Sequence, residues 1–283
     1  MATFTNFATL SYSGGSTDSN TVTGELLEVL TAAKTAVADE YTAKDKVTYV
    51  LSLVNSGAAA LTGLTVTDDL GGYTFNGATV YPLAYSAGSV RYYLNGVLQT
   101  APAVTAGPPM FISGITVPAS GSTLLVYEAD LTAYAPLGTE ATITNTASVT
   151  GGGLAAPLTA AATISMRPRA ELTISKALCP TTVTENGQLT YTFVIENAGS
   201  IAATADDQAV LTDTFDPRLN AITVAFNGTA WTQGTQYTYD PATGVFATTA
   251  GQITVPAAAY AQNADGTWTV TPGSSTLTVT GTV

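Results

Sequence analysis

ATFTNFATLS, at residues 2–11, recurs later in the chain as ATITNTASVT, at residues 141–150. Both copies alternate between apolar and polar residues, which is typical of a β-strand with one buried face. The face of the first copy that we predict to be buried carries Phe4, Asn6, Ala8 and Leu10. In the second copy Asn145 takes the place of Asn6, and this copy closes a domain of its own chain. The first copy precedes any domain, so we predict that it completes a domain of another subunit.

The composition argues against several classes of protein. The chain has 283 residues, of which 46% are hydrophobic and 10% charged, so it can bury the cores of two ordinary domains. Its net charge is -12 with eight Lys and Arg, too few for the basic patch that nucleic acid requires. There is no histidine, the commonest general base and zinc ligand, and the single cysteine cannot form an intrachain disulfide. We expect no cofactor, no metal ion, no nucleic acid and no membrane insertion.

Most of the chain consists of short runs rich in β-branched residues, separated by Gly, Pro, Asn and Asp. Asn95-Gly96, between two such runs, is a strong signal for a two-residue β-hairpin turn. The spacing of the runs is typical of immunoglobulin-like β-sandwiches. We therefore predict an all-β chain built from such sandwiches.

A second domain repeats the first. Lys34 precedes Tyr49 by the same spacing as Lys176 precedes Tyr191. Further matches, in order, are Thr67-Asp68 with Thr212-Asp213, Asn95-Gly96 with Asn227-Gly228, and residues 122–126 with 275–279. The first copy then continues through the Asn145 strand, so we predict that the second sandwich lacks its last strand. The predicted organisation is an N-terminal donor strand (1–13), a flexible linker (14–23), domain 1 (24–165) and an incomplete domain 2 (166–283).

Polar residues interrupt the apolar faces of the predicted strands. They are Lys34, Asp68 and Asn145 in domain 1, and Lys176 and Asp213 in domain 2. Burying such groups unpaired is costly, so we expect the members of each set to meet. A buried Lys beside a buried carboxyl favours the neutral amine and the protonated acid, because desolvation disfavours both charged forms. The amine could then attack an Asn side-chain carbonyl, expel ammonia and leave a Lys–Asn isopeptide bond.

At these residues the sequence resembles two groups of bacterial surface proteins. One is the repeat family known as domain of unknown function eleven, and the other comprises the isopeptide-forming immunoglobulin-like domains of Gram-positive pilins and adhesins. The motifs that carry the resemblance are Lys34, Thr67-Asp68 and residues 143–147, and again Lys176 and Thr212-Asp213. The resemblance implies an internal bond from Lys34 to Asn145, assisted by Asp68. It also implies an extracellular or cell-surface location.

The second set departs from this pattern because no Asn follows in the equivalent place. We predict that Asn6 of a neighbouring subunit fills it, which gives a Lys176 to Asn6 bond between subunits, assisted by Asp213. The predicted function is that of a structural subunit of an extracellular bacterial filament, pilus or appendage. Such a subunit would polymerise head to tail with itself by donor-strand complementation, and its only catalysis would be formation of its own bonds.

Other interpretations of the same residues are open. Lysines in strands are usually solvated, Asn and Asp at strand ends usually form turns, and a noncovalent buried cluster would also satisfy the pattern. Acidic pairs such as Asp206-Asp207 could bind calcium, but they lack the spacing of a calcium loop. The main rival function is a monomeric adhesin or stalk fragment of a larger surface protein. An accessory domain of a polysaccharide hydrolase is a third.

Overall fold

The computed structural model describes residues 2–43 and 45–283; Met1, in the predicted donor strand, and Lys44, in predicted domain 1, lie outside them. The chain is all-β, as predicted. Apart from one short 3-10 helix at Ala205–Asp207, every regular element in the described residues is a strand. The strands form an N-terminal hairpin followed by two β-sandwiches in tandem.

The N-terminal hairpin, residues 2–26, consists of two successive strand pairs. Its strands are β1 (Ala2–Asn6), β2 (Thr9–Tyr12), β3 (Gly15–Asp18) and β4 (Val22–Leu26). β1 pairs antiparallel with β4, and β2 pairs antiparallel with β3. Within the described part of the chain, none of the four pairs with any strand outside the hairpin.

The segment predicted as a flexible linker, residues 14–23, is instead the turn and most of the returning half of this hairpin. Gly15 has a φ of +142°, which favours glycine, and a β-carbon on Gly14 would lie 2.7 Å from the Tyr12 ring. The two glycines therefore reverse the chain rather than loosen it. A glycine pair serves a tight turn and a flexible linker equally well, which explains the difference from the prediction.

Domain 1 is a complete sandwich of two sheets. Its strands are β5 (Leu30–Ala36), β6 (Glu40–Tyr41), β7 (Lys46–Asn55), β8 (Leu61–Asp68), β9 (Tyr73–Phe75), β10 (Ala78–Val80), β11 (Leu83–Tyr85), β12 (Arg91–Leu94), β13 (Val97–Gln99), β14 (Ala103–Thr105), β15 (Met110–Val117), β16 (Gly121–Leu131), β17 (Thr142–Gly151) and β18 (Leu158–Met166). One sheet has the order β13-β12-β16-β7-β5 with β11 also on β16, and the other has the order β14-β15-β8-β17-β18-β6. Alternate residues of β7 and β16, among them Leu51 and Leu125, fill the core between the sheets.

Domain 2 repeats this plan in part. Its strands are β19 (Leu172–Cys179), β20 (Gln188–Asn197), β21 (Thr212–Thr214), β22 (Asn220–Phe226), β23 (Thr229–Trp231), β24 (Tyr237–Asp240), β25 (Val245–Thr248), β26 (Ala259–Gln262), β27 (Trp268–Thr271) and β28 (Gly273–Thr282). The sheet β19-β20-β28-β22-β23 has the order of β5-β7-β16-β12-β13. The sheet β21-β25-β24 corresponds to β8-β15-β14.

Beyond β8, domain 1 has β17, β18 and the two-residue strand β6, and none of these has a counterpart in the described residues of domain 2, where we predicted that one strand was missing. β8 pairs with β15 on one side and with β17 on the other, whereas β21 pairs only with β25. The free edge of β21 and the face of β19 therefore border an open groove. Leu172 and Ile174 of β19 are 39% and 57% exposed there.

The strand pairing also corrects the repeat alignment by one residue. Gly121 lies opposite Asn55 and Gly273 lies opposite Asn197, so Tyr127 corresponds to Val279. The sequence comparison had placed Val126 there. A slip of one residue exchanges the two faces of a strand, so only the cross-strand register reveals which side chains reach the core.

The N-terminal hairpin and domain 2 are attached beyond opposite ends of β5. Residues 27–29 join the hairpin to Leu30, where β5 begins. Domain 2 follows Met166, which pairs with Tyr41 beyond the last residue of β5. The two attachments therefore lie at opposite ends of domain 1.

The hairpin of β26 and β27 in domain 2 contacts domain 1. The Trp268 amide donates a hydrogen bond to the Ala133 carbonyl at 2.8 Å, and Gln262 Nε2 donates one to the Tyr73 hydroxyl at 3.0 Å. The side chains of Trp268 and Val270 pack against the core of domain 1. These contacts brace one sandwich against the other.

Candidate functional site

Lys34 lies on the core side of β5 and is 5% exposed. Its Nζ is 2.7 Å from Asp68 Oδ2. The same atom lies 4.8 Å from the centre of the Tyr49 ring and 5.8 Å from that of Tyr127. Two aromatic rings and one carboxyl group therefore surround the amine.

Asp68, at the end of β8, is fully buried. Its Oδ2 receives hydrogen bonds from Lys34 Nζ and from the Tyr127 hydroxyl. Its Oδ1 accepts a hydrogen bond from the Leu70 amide at 3.0 Å. Both oxygens are thus held in place, with one of them directed at the lysine.

Asn145 lies on β17, the neighbour of β8, and is also fully buried. It shares a face with Ala147, which lies opposite Asp68. In the described part of the chain, neither Asn145 Oδ1 nor Nδ2 makes a well-formed hydrogen bond, and the hydroxyl of Tyr49 beside it makes none either. An unpaired buried amide costs about 1–3 kcal/mol, so this side chain lies in an environment that does not satisfy it as a free amide.

The environment of these groups shifts their protonation. Burial lowers the pKa of Lys34, and the attraction of Asp68 opposes that shift. Burial raises the pKa of both Tyr49 and Tyr127, and the charge of Asp68 acts in the same direction. The phenols therefore stay protonated at neutral pH, while the amine is moved towards its neutral, nucleophilic form. We call this group (Lys34, Asp68, Asn145, Tyr49 and Tyr127) site 1.

Domain 2 holds a partial copy, which we call site 2 and which consists of Lys176 on β19 and Asp213 on β21. Lys176 Nζ is 2.5 Å from Asp213 Oδ2 and 4.4 Å from the centre of the Tyr191 ring. The Lys176 side chain is 41% exposed, whereas that of Lys34 is fully buried. Val279 occupies the place of Tyr127, so Asp213 receives no phenol hydrogen bond from that position.

Asn6 does not meet Lys176 within this chain. It lies on β1 of the N-terminal hairpin, opposite Val22, and is exposed. Phe4, Ala8 and Leu10 are exposed as well, with Phe4 and Leu10 at 59% and 65%. The structure thus brings together Lys34 with Asp68 and Lys176 with Asp213, and it leaves the predicted donor residues in solvent.

Sequence reasoning missed the two tyrosines of site 1. Tyr49 was used only to set the spacing of the repeat, although its recurrence as Tyr191 beside the second lysine was a usable signal. Tyr127 is 59 residues from Asp68 and has no equivalent in domain 2, so nothing in the repeat pointed to it.

No protein-family model and no curated protein matches the chain. The solved structures to which the chain is distantly similar include bacterial pilin subunits, an adhesin domain and a transglutaminase of red sea bream. The pilus backbone protein RrgB of Streptococcus pneumoniae is 12% identical over 90% of this chain and 50% of its own, with a TM-score of 0.36. BcpA, the major pilin subunit of Bacillus cereus, is 13% identical over 96% of this chain and 73% of its own, with a TM-score of 0.36. The collagen-binding domain of a Staphylococcus aureus adhesin is 10% identical over 49% of this chain and 99% of its own, with a TM-score of 0.31.

These similarities are distant. The chain spans about half the length of RrgB, and none of the matches identifies a family. The resemblance to the repeat family inferred from the sequence therefore stays a prediction. The described residues contain no helix that is both long and apolar enough to cross a membrane.

Proposed function

We propose that the protein is a structural subunit of an extracellular or cell-surface filament of the pilus type, which polymerises with itself head to tail. The N-terminal segment of one copy would complete domain 2 of the next. One observation carries the proposal: β1 and β2 repeat the sequence of β17, and the groove between β19 and β21 is open where β17 would lie.

The exposed apolar surface of the donor supports this. Phe4, Leu10, Tyr12 and Val22 are each more than half exposed on the N-terminal hairpin, which pairs with no other strand in the described residues. Several large apolar side chains exposed on one small element of a soluble protein are typical of an interaction site. Burying each large side chain would contribute about 1.5–3 kcal/mol to the contact.

The placement of donor and acceptor supports an open chain. The hairpin is attached at one end of domain 1 and domain 2 at the other. A contact between two different surfaces of identical subunits is heterologous and adds copies without closing, unless its rotation makes a ring. Addition of a strand to a free sheet edge is a common way to form such a contact.

We further propose that both sites form isopeptide bonds. In site 1, Asp68 first accepts a proton from the Lys34 ammonium. The neutral Nζ then attacks Asn145 Cγ while the protonated Asp68 donates a hydrogen bond to the carbonyl oxygen. Nζ gives up a further proton, Nδ2 takes it up and leaves as ammonia, so that one C–N bond forms and one breaks without any cofactor. Lys176 and Asp213 would act in the same way on Asn6 of the neighbouring copy. The lowered pKa of Lys34 and the unpaired amide of Asn145 support this chemistry.

Denaturing electrophoresis of assembled protein tests the proposal. We expect a ladder of SDS-resistant multimers, lost in Asn6→Ala and in Lys176→Ala but kept in Asn145→Ala. Asn20→Ala is the matched control, because Asn20 is an exposed asparagine of the same hairpin. A mixture of Asn6→Ala and Lys176→Ala chains should give a covalent dimer and nothing larger, since each variant retains one partner of the bond.

A single monomer band from assembled wild-type protein would contradict covalent polymerisation. A protein that stays monomeric in solution at all concentrations would instead favour the adhesin or stalk reading.

A further inference from the structure

We propose that the donor is the whole N-terminal hairpin, which replaces both β17 and β18 in domain 2 of a second copy of this chain. This inference rests on the proposed head-to-tail assembly, and it concerns what is donated and how the copies join. Four features of the described residues carry it.

The first feature is the register of the hairpin. In domain 1, β17 and β18 pair so that Asn145 lies opposite Ala162. In the hairpin, β1 and β4 pair so that Asn6 lies opposite Val22. The reactive Asn of each first strand thus faces a small or medium apolar residue of a returning strand. The donor is therefore already an antiparallel two-stranded unit before it docks.

The second feature is complementary packing at the neighbouring position. β17 and β18 place Ile143 opposite Ile164, and both are buried in the core of domain 1. The hairpin places Phe4 opposite Gly24. The Phe4 ring lies across this glycine, since a β-carbon on Gly24 would come within 2.4 Å of Phe4 Cζ. The hairpin therefore has one large side chain, Phe4, and a glycine where β17 and β18 have two isoleucines of medium size.

The third feature is what β18 covers. β18 lies against β5, and Ile164 and Met166 contribute to the buried core on that side. The Lys34 side chain is fully buried in this arrangement, whereas Lys176 on the equivalent strand β19 is 41% exposed. A single strand in the place of β17 would leave β19 open on the side of β18. The returning strand β4 would close that side and withdraw the Lys176 side chain from water.

The fourth feature is the connection that follows each hairpin. β18 leads through residues 167–171 into β19, and the Glu171 carbonyl accepts a hydrogen bond from the Ala198 amide at 2.9 Å. β4 leads through residues 27–29 into β5, and the Val29 carbonyl accepts one from the Ser56 amide, also at 2.9 Å. Ser56 and Ala198 are equivalent residues of the repeat. The chain therefore enters both sandwiches in the same way.

The consequence is a filament in which the junction between subunits copies the junction between domains. Each sandwich would be completed by a hairpin that leads, through a short connector, directly into the next sandwich. The connector between subunits has only three residues, 27–29, which span at most about 14 Å. If β1 and β2 alone were donated, a long segment would instead connect them to domain 1 of their own subunit.

Circular permutation of the full chain tests this. In the first permutant, residues 2–26 follow Val283 through a Gly/Ser linker as long as residues 132–141, which join β16 to β17. In the second, residues 15–26 of the moved segment are replaced by a Gly/Ser sequence of equal length, so that only the first strand can dock. Intact mass and size in solution are compared with those of the unpermuted chain.

We expect the first permutant to be a monomer that loses two ammonia molecules, one for each site. The second should lose one, from site 1, and lose the other at least tenfold more slowly or not at all. A second permutant that loses both as fast as the first would overturn the two-stranded donor. So would a first permutant that loses only one while the unpermuted chain forms covalent multimers. If the unpermuted chain forms no multimers and neither permutant loses the second ammonia, the proposed assembly itself fails.

Discussion

Replacement of Asn145 by alanine distinguishes a covalent site 1 from a noncovalent one by the sign of the stability change. A bond from Lys34 to Asn145 would close a loop of about 110 residues, and the chain-entropy model assigns about 4.7 kcal/mol to a cross-link of that span. Asn145→Ala should therefore lower the free energy of unfolding of domain 1 by about 4–5 kcal/mol. At roughly 2–4 °C per kcal/mol for a domain of this size, the melting temperature should fall by about 10–20 °C.

Without the bond, the same substitution has the opposite tendency. Asn145 would then be a buried amide with no hydrogen-bond partner, whose removal relieves about 1–3 kcal/mol. The cavity left behind costs about 1 kcal/mol, so the variant should be as stable as the wild type or more stable.

Intact-mass spectrometry and thermal unfolding of the same samples provide the assay. The wild type should be lighter than its sequence by at least one ammonia, and Asn145→Ala should lose one ammonia fewer. Thr144→Ala is the matched control, because Thr144 is an exposed residue of the same strand. A wild type with the full sequence mass, together with an unchanged melting temperature in Asn145→Ala, would refute the reasoning.

Three further predictions concern site 1 and the repeat. In Asn145→Ala the Lys34 amine is free and burial lowers its pKa, so the unfolded state binds more protons than the folded state. The free energy of unfolding should therefore increase as the pH is raised towards about 10, by up to about 1.4 kcal/mol per pH unit. Denaturant titrations at several pH values measure this increase, and Lys34→Met in the same background should reduce it. Tyr127→Phe removes a hydrogen bond to Asp68 and should slow ammonia loss roughly 10- to 100-fold in a refolding time course; an unchanged rate would exclude a role for the phenol. Asn55→Ala removes three hydrogen bonds to backbone groups and should cost about 2–4 kcal/mol in chemical denaturation, whereas a loss below 1 kcal/mol, about the size of one ordinary hydrogen bond, would show that water replaces them.

The proposed covalent bonds would decide whether the assembly is permanent, because strand docking alone is finely balanced. Ordering one residue costs about 1–2 kcal/mol, which is comparable to what each buried side chain and ladder hydrogen bond returns. If the donor is already a hairpin, part of its conformational entropy is lost before docking, because β1 and β4 are paired in the single chain. Preorganisation of this kind increases affinity without adding contacts.

Several features followed from the sequence alone because they are local or repeated. The two-residue alternation of the strands predicted the all-β fold, and the equal spacing of Lys34 to Tyr49 and Lys176 to Tyr191 predicted two related sandwiches. Alternation also put Lys34 and Asp68 on core-facing positions, where the structure brings them to 2.7 Å. Whether Asn145 reacts with Lys34 stays a prediction.

Other features depended on which strands lie side by side, and a pattern along one strand does not contain that information. The Gly14-Gly15 pair suits a linker or a turn, and only the pairing of β1 with β4 shows that it reverses the chain. The approach of Tyr127 to Asp68 spans 59 residues of sequence and requires both sheets to be in place. Sequence periodicity thus determined that Asn6 belongs to a strand like that of Asn145. Only the tertiary structure decided that this strand is paired with a second one, β4, because the pattern along one strand does not show which strand lies beside it.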